Sequence, residues 1–147
     1  MSQNRKVAII TGSSQGLGAS IAKKLSKKNV NVVINYSSSK ELAEKIRDEC
    51  ISNGVEAIAI KADVSQNEDC IKLVKRAEDV FGKVDILVNN AGTTKFADHS
   101  KLEKLSDEDF INIYKVNVIG PYQMIRAVEP IMKKTGFGAV VNISSIA

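Results

Sequence analysis

Short apolar runs alternate with stretches of helical spacing along all 147 residues. Val7-Ala8-Ile9-Ile10 is the first run, and Val30 to Asn35, Ala57 to Ile60, Val84 to Val88 and Ala139 to Ile143 repeat the type. Runs of Val and Ile without polar alternation predict strands buried on both faces, as in parallel sheets. Between them, Leu17, Ile21 and Leu25 predict the apolar face of a first helix, Leu42 and Ile46 that of a second, and Ile71, Val74 and Ala77 that of a third. Asn53-Gly54 and Phe81-Gly82 predict the ends of the second and third helices, since glycine takes the left-handed angles of a helix stop. Ser106-Asp107-Glu108-Asp109 resembles a capping box opening a long fourth helix, which Pro121 and Pro130 are expected to bend or break locally.

The order β-α-β-α-β-α-β-α-β, with right-handed crossovers, predicts a doubly wound, Rossmann-type parallel sheet of five strands in the order 3-2-1-4-5, with helices on both faces. No linker, repeat or low-complexity segment interrupts it, so residues 1–147 are expected to form one domain. Thr93 to Lys104 is the one long loop expected, at the carboxyl end of the fourth strand, where such sheets place ligands.

Composition changes this picture little. Aromatic residues are only 5%, so the core must rest on Val, Ile, Leu and Ala. The net charge is +4, but the lysines are scattered. Lys23, Lys24, Lys27 and Lys28 fall near one predicted helix end and Lys133 and Lys134 near another, where cations complement the helix dipole. No basic stripe with interleaved aromatics appears, which argues against a nucleic-acid partner. Cys50 and Cys70 lack metal spacing and suit reduced, partly buried thiols in a cytoplasmic protein. The polar start Met1 to Lys6 holds no secretory segment, and no apolar run approaches the ~18 residues that span a membrane.

The candidate chemistry lies where predicted strands end. Thr11-Gly12-Ser13-Ser14-Gln15-Gly16-Leu17-Gly18 joins the first strand to the first helix. Gly12 permits backbone angles a side chain forbids, Gly16 lets a pyrophosphate approach the main chain, and Gly18 lets helix and strand pack closely. The free N–H groups of the helix start attract phosphate. The glycines alone also suit a tight turn without a ligand. Asp63-Val64 follows the third strand and Asn89-Asn90-Ala91-Gly92 the fourth; singly, these suit a helix cap and a polar turn. Asn117 lies inside the predicted long helix, an unfavourable place for Asn. Ser144 and Ser145 close the fifth strand. His99, the single histidine, has no evident buried partner and reads as a surface residue, and no Gly-x-Ser-x-Gly elbow supports a serine hydrolase.

Taken in order, these segments resemble the classical short-chain dehydrogenase/reductase family, with 3-oxoacyl-carrier-protein reductases a looser match. The resemblance implies that Thr11, Gly12, Ser14, Gln15, Gly16, Leu17 and Gly18 hold the dinucleotide phosphates. It implies that Asp63 and the Val64 N–H meet adenine, while Asn90, Ala91 and Gly92 line the nicotinamide ribose. Asn117 becomes the asparagine of a proton relay. Ser145, or its neighbour Ser144, orients a substrate carbonyl or alcohol. The family's acidic position after the second strand falls on Tyr36, followed by Ser37, Ser38 and Lys40. Without a carboxylate to repel a 2′-phosphate, NADP(H) is favoured and NAD(H) remains possible; no arginine stands ready for bidentate phosphate binding.

The expected activity is hydride transfer between NADP(H) and a small carbonyl or secondary-alcohol substrate. The family's general acid is a tyrosine four residues before a lysine, on a helix after the fifth strand. Tyr36, Tyr114 and Tyr122 do not fit that place. The chain is therefore expected to be the N-terminal part of such an enzyme, with the C-terminal part of the fold missing and the piece inactive alone. The other reading is a non-catalytic nucleotide-binding module or an inert fragment. Family members associate as homo-oligomers, an expectation that is doubtful for this piece.

Overall fold

The computed structural model describes residues 4–145. The sequence reading of Met1 to Gln3 and of the closing pair Ile146-Ala147 lies outside them. The elements are β1 (Val7–Ile10), α1 (Gly16–Lys27), β2 (Asn31–Tyr36), α2 (Lys40–Ser52), β3 (Ala57–Lys61), α3 (Asn67–Phe81), β4 (Ile86–Asn89), a 3-10 turn (Leu102–Lys104), α4 (Asp107–Tyr114), a π-helical turn (Lys115–Ile119), α5 (Gly120–Thr135) and β5 (Ala139–Asn142). All strand pairs are parallel and the order is β3-β2-β1-β4-β5, as the sequence predicts.

Successive strand residues feed opposite faces. Ala8, Ile10, Val32, Ile34 and Val88 face α1 and α2, where Ala19, Ala22, Ala43 and Cys50 cover them. Ile9, Val33 and Leu87 face α3 and α5, against Leu73, Val74, Met124 and Val128. Full burial of a side chain such as Leu73 contributes ~1.5–3 kcal/mol. This two-sided demand is why β1 and β2 are apolar almost without interruption.

Three helical faces differ from the expectation. Leu17, Leu42 and Ile71 are all exposed, at 56%, 45% and 45%. The helix positions that reach the sheet are smaller: Gly18, Ala19, Ala22 and Ser26 in α1, Ala43 and Cys50 in α2. Small residues let the helix backbones approach the sheet, leaving larger neighbours at the rim. Ile46, Val74 and Ala77 are buried as read. Cys50 and Cys70 are both free and fully rather than partly buried.

The helix ends follow their local signals. Asn53 closes α2 ahead of Gly54 at φ +90°, and Gly82 closes α3 in the left-handed region at φ +75°. Ser106 and Asp109 form a reciprocal capping box. The long fourth helix winds on without a break from Asp107 to Thr135, but it widens once. α4 and α5 are joined by the π-helical turn that contains Asn117, with the Gly120 N–H donating to the Lys115 carbonyl. Pro121 follows that turn at the start of α5, where a missing N–H costs little, whereas α5 runs unbroken through Pro130. Asp63 and Val64 lie just beyond the end of β3 at Lys61, and Ser145 lies three residues beyond Asn142.

Candidate functional site

A cleft of about 420 Å³ opens at the carboxyl ends of β1 to β4. This is the crevice where the strand order reverses, between β1–β2 on one side and β4 on the other. Gly12, Ser14 and Gln15 line it from the turn after β1, Tyr36, Ser37 and Ser38 from the end of β2, Asp63 and Val64 from after β3, and Asn90, Ala91 and Gly92 from after β4. Four segments far apart in sequence thus converge.

Thr11 holds two of them together. Its hydroxyl oxygen accepts the N–H groups of Asn90 and Ala91, each at 3.0 Å. The Asn90 side-chain amide returns donors to the Thr11 and Gly12 carbonyls, both at 3.0 Å. Thr11 is 1% exposed, so it shapes the wall from behind. The glycines have distinct duties. A Cβ on Gly12 would stand 2.9 Å from the Ala91 Cα, at a φ of +59°. A Cβ on Gly18 would stand 2.5 Å from the Asn90 amide nitrogen and 2.6 Å from the Gly12 carbonyl oxygen. Gly16 has φ +58° and nothing within 4 Å of its notional Cβ, so it meets open space at the start of α1.

On the opposite wall, the Asp63 carboxylate accepts the Ser65 N–H at 2.9 Å while its own N–H donates to Asp69. It is exposed and caps no helix; Gln66 occupies the cap position of α3. Val64 is buried, and its carbonyl accepts from Gln123 at 2.8 Å and from the Cys70 thiol at 3.3 Å. Burial, with Asp69 and Asp63 nearby, pushes the Cys70 thiol up to about 11. It is an inert brace under the wall.

Asn117 does not line the cleft. Both ends of its amide bind the Thr93 backbone: the oxygen accepts the Thr93 N–H at 2.8 Å and the nitrogen donates to the Thr93 carbonyl at 2.9 Å. Its place in the π-turn thereby fastens the loop after β4. Lys95 fastens the same loop by a 2.7 Å ion pair to Asp109, whose carboxylate also caps α4. These donors hold the Asp109 carboxyl down at about 2. Ser145 is exposed and outside the lining. Thr11, Gly16, Leu17 and Gly18 also stay outside it, while Asn35, Ser39, Ala62, Thr93, Asn112 and Val116 complete it. Asn35, like Asn31 in the same strand, was legible in principle: a buried amide in an otherwise apolar run needs partners.

Spacing does produce one Tyr-x-x-x-Lys, from Tyr36 to Lys40. Tyr36 ends β2 and is 9% exposed, whereas Lys40 opens α2 and lies 3.9 Å from Glu44. The two do not share a helix, so this pair does not supply the arrangement in which lysine and tyrosine stand on adjacent turns. Among the described residues no group of His, Cys, Asp and Glu could hold a metal, and no helix is long and apolar enough to cross a membrane.

Residues 6–147 match the short chain dehydrogenase family. The 3-oxoacyl-(acyl-carrier-protein) reductase FabG of Staphylococcus epidermidis is 37% identical over 141 residues, which cover 96% of this chain and 57% of that protein. A metagenomic short-chain oxidoreductase crystallised with NADP superposes with a TM-score of 0.88 at 31% identity, covering all of this chain and 64% of its own. The NAD+-bound crystal structure of a xylitol dehydrogenase matches at TM-score 0.88 and 30% identity, over 97% of this chain and 54% of its own. The chain thus spans little more than half the length of these relatives.

Proposed function

Since the chain belongs to the short chain dehydrogenase family, we propose that it forms the dinucleotide-binding part of an NADP(H)-dependent reductase or dehydrogenase acting on a small carbonyl or secondary alcohol. The observation that carries this reading is the single cleft into which the segments after β1, β2, β3 and β4 converge. Its volume lies within the 300–1,000 Å³ usual for cofactor sites. Its donors are suited to the group: Ser14 and Gln15 stand beside the N-terminus of α1, where the first N–H groups of a helix lack internal partners and favour anions.

In this reading Ser14, Gln15, Gly16 and Leu17 meet the phosphates, Gly12 borders them through its bare Cα, and Thr11 and Gly18 set the turn. Asp63 and Val64 face adenine, and Asn90, Ala91 and Gly92 border the nicotinamide ribose. Tyr36, Ser37, Ser38 and Ser39 supply hydroxyls and no carboxylate at the second strand's end, which favours a 2′-phosphate. The nicotinamide supplies or accepts hydride when bound. Ser145 orients the substrate oxygen, and Asn117, through Thr93, holds the loop that borders the substrate. The FabG resemblance supports a 3-oxoacyl substrate class, and the two buried free thiols suit a cytoplasmic setting.

Calorimetry with NADPH and NADH on the 147-residue chain, coupled to a turnover assay with a panel of ketones and 3-oxoacyl thioesters, tests this. Tighter NADPH binding is expected. Binding without turnover fits a nucleotide-binding part that does not act alone. Failure of a folded chain to bind either dinucleotide would sink the proposal.

A further inference from the structure

Asn35 is 2% exposed at the end of β2, on the floor of the cleft. Its side-chain oxygen accepts the Gly12 N–H at 3.0 Å. Its side-chain nitrogen donates to the Ala62 carbonyl at 3.1 Å and the Ile60 carbonyl at 3.4 Å. Its main chain is locked as well: the Asn35 N–H donates to the Ser13 hydroxyl at 3.1 Å, and the Ser13 N–H donates to the Asn35 carbonyl at 2.9 Å. One buried residue therefore ties the turn after β1 to the segment that leads from β3 into Asp63.

We infer that Asn35 is a positioning residue for the dinucleotide, fixing the phosphate turn and the adenine-side wall at one separation so that a single ligand meets both. The inference rests on the cofactor reading above. An amide is the side chain this place demands. It must present an acceptor to Gly12 and donors to two carbonyls, and the surrounding atoms permit one orientation. Aspartate of the same shape keeps the acceptor but lacks the donors and sets a charge against the Ile60 and Ala62 carbonyls. Serine is too short to span both.

Two consequences follow. The Gly12 N–H is already committed to Asn35, so phosphate must be met by N–H groups further into the turn. A ligand that touches both walls gains from their fixed separation, because preorganisation removes an ordering cost from binding. A ligand that touches only the adenosine side gains nothing.

The test compares the unaltered chain with Asn35→Leu and Asn35→Ser, neither of which sets a charge near the 2′-phosphate, by calorimetry with NADPH and with adenosine 2′-monophosphate, at a temperature where circular dichroism shows each folded. NADPH affinity is expected to fall about tenfold or more in both variants, while adenosine 2′-monophosphate affinity stays within about twofold. Unchanged NADPH affinity, or equal loss of both ligands, overturns the positioning role. If the unaltered chain binds neither ligand, the cofactor reading fails and this inference with it. Hydrogen exchange on the unaltered chain gives a second measurement that does not depend on the variants folding. The Gly12 amide is expected to be protected before NADPH is added; rapid exchange in the free chain that slows only on binding overturns the inference.

Discussion

The Thr11 hydroxyl oxygen stands 3.0 Å from both the Asn90 and the Ala91 nitrogen, so one side chain receives two consecutive N–H groups from a strand end 79 residues away. The phosphate turn and the β4 end are thus a single built unit rather than two loops that happen to touch. Thr11→Val keeps the shape and removes the acceptor. Leaving a buried donor unsatisfied costs ~1–3 kcal/mol. The urea midpoint of the variant should fall accordingly, and Thr11→Ser should recover most of the loss.

Gly18→Ala should be worse than its size suggests. The added methyl would meet the Asn90 amide nitrogen at 2.5 Å and the Gly12 carbonyl at 2.6 Å. Both are held in the same network, so neither can retreat alone. Forced overpacking of this kind costs ~1–3 kcal/mol, and the shift should weaken NADPH binding as well. Gly16→Ala is the contrast: φ +58° with open space around the Cβ gives strain of ~1–2 kcal/mol without a clash. Thermal melts and calorimetry on the two variants separate packing from backbone strain.

Asp109 gives a pH dependence with a defined sign. The Lys95 ammonium, first, and then the Ser106 N–H hold its carboxyl at about 2. A depressed folded-state value means the stabilisation is fully present above the unfolded carboxyl's ~3.9 and is lost as pH falls towards about 2. Asp109→Asn should therefore be less stable than the unaltered chain at neutral pH. The gap should narrow between those two pH values, read as denaturant midpoints across the range.

Cys70 should be silent to thiol reagents in the native state. Burial, foremost, pushes it up to about 11, and its thiol donates to the Val64 carbonyl at 3.3 Å. At pH 8 only about one thiol in a thousand is ionised at such a value. A raised value stabilises the fold below the unfolded thiol's ~8.5, and that contribution is lost as pH rises towards about 11. Ellman's reagent at pH 8 should label neither cysteine until urea unfolds the chain.

What the sequence made legible was local or repetitive. The Ser106–Asp109 capping box, the stops at Gly54 and Gly82 and the strand order each depend on a few neighbouring residues or on a pattern repeated five times. The helix faces were harder. A reading weighted to large residues picks Leu17, Leu42 and Ile71, but α1 and α2 meet the sheet largely through Ala, Gly and Cys, which carry little signal. Asn35 closes an apolar run and stands out there as an amide, but its partners could not be named, because they come from the Gly12 turn and from Ile60 and Ala62, over 20 residues away on either side. Asn117 announced itself as an amide out of place in a helix. That it would bind the Thr93 backbone at both ends, in a wider turn, needed the loop's position.

The π-turn from Lys115 to Ile119 can be thought of as a one-residue surplus taken up by a wider turn between α4 and α5. Each residue of an α-helix advances the surface by ~100°. Because the Gly120 N–H reaches back five residues to the Lys115 carbonyl, the wide turn absorbs that step locally, and α4 keeps its facing against α5, which is anchored on the sheet through Met124 and Val128. Deleting one residue of the turn would close it to ordinary winding and displace the Asn117 amide from Thr93, while Asp109 keeps Lys95. The length of this segment is thus held by reading frame as much as by residue type: a chain could exchange Val116 or Val118 for another apolar residue more easily than it could lose either.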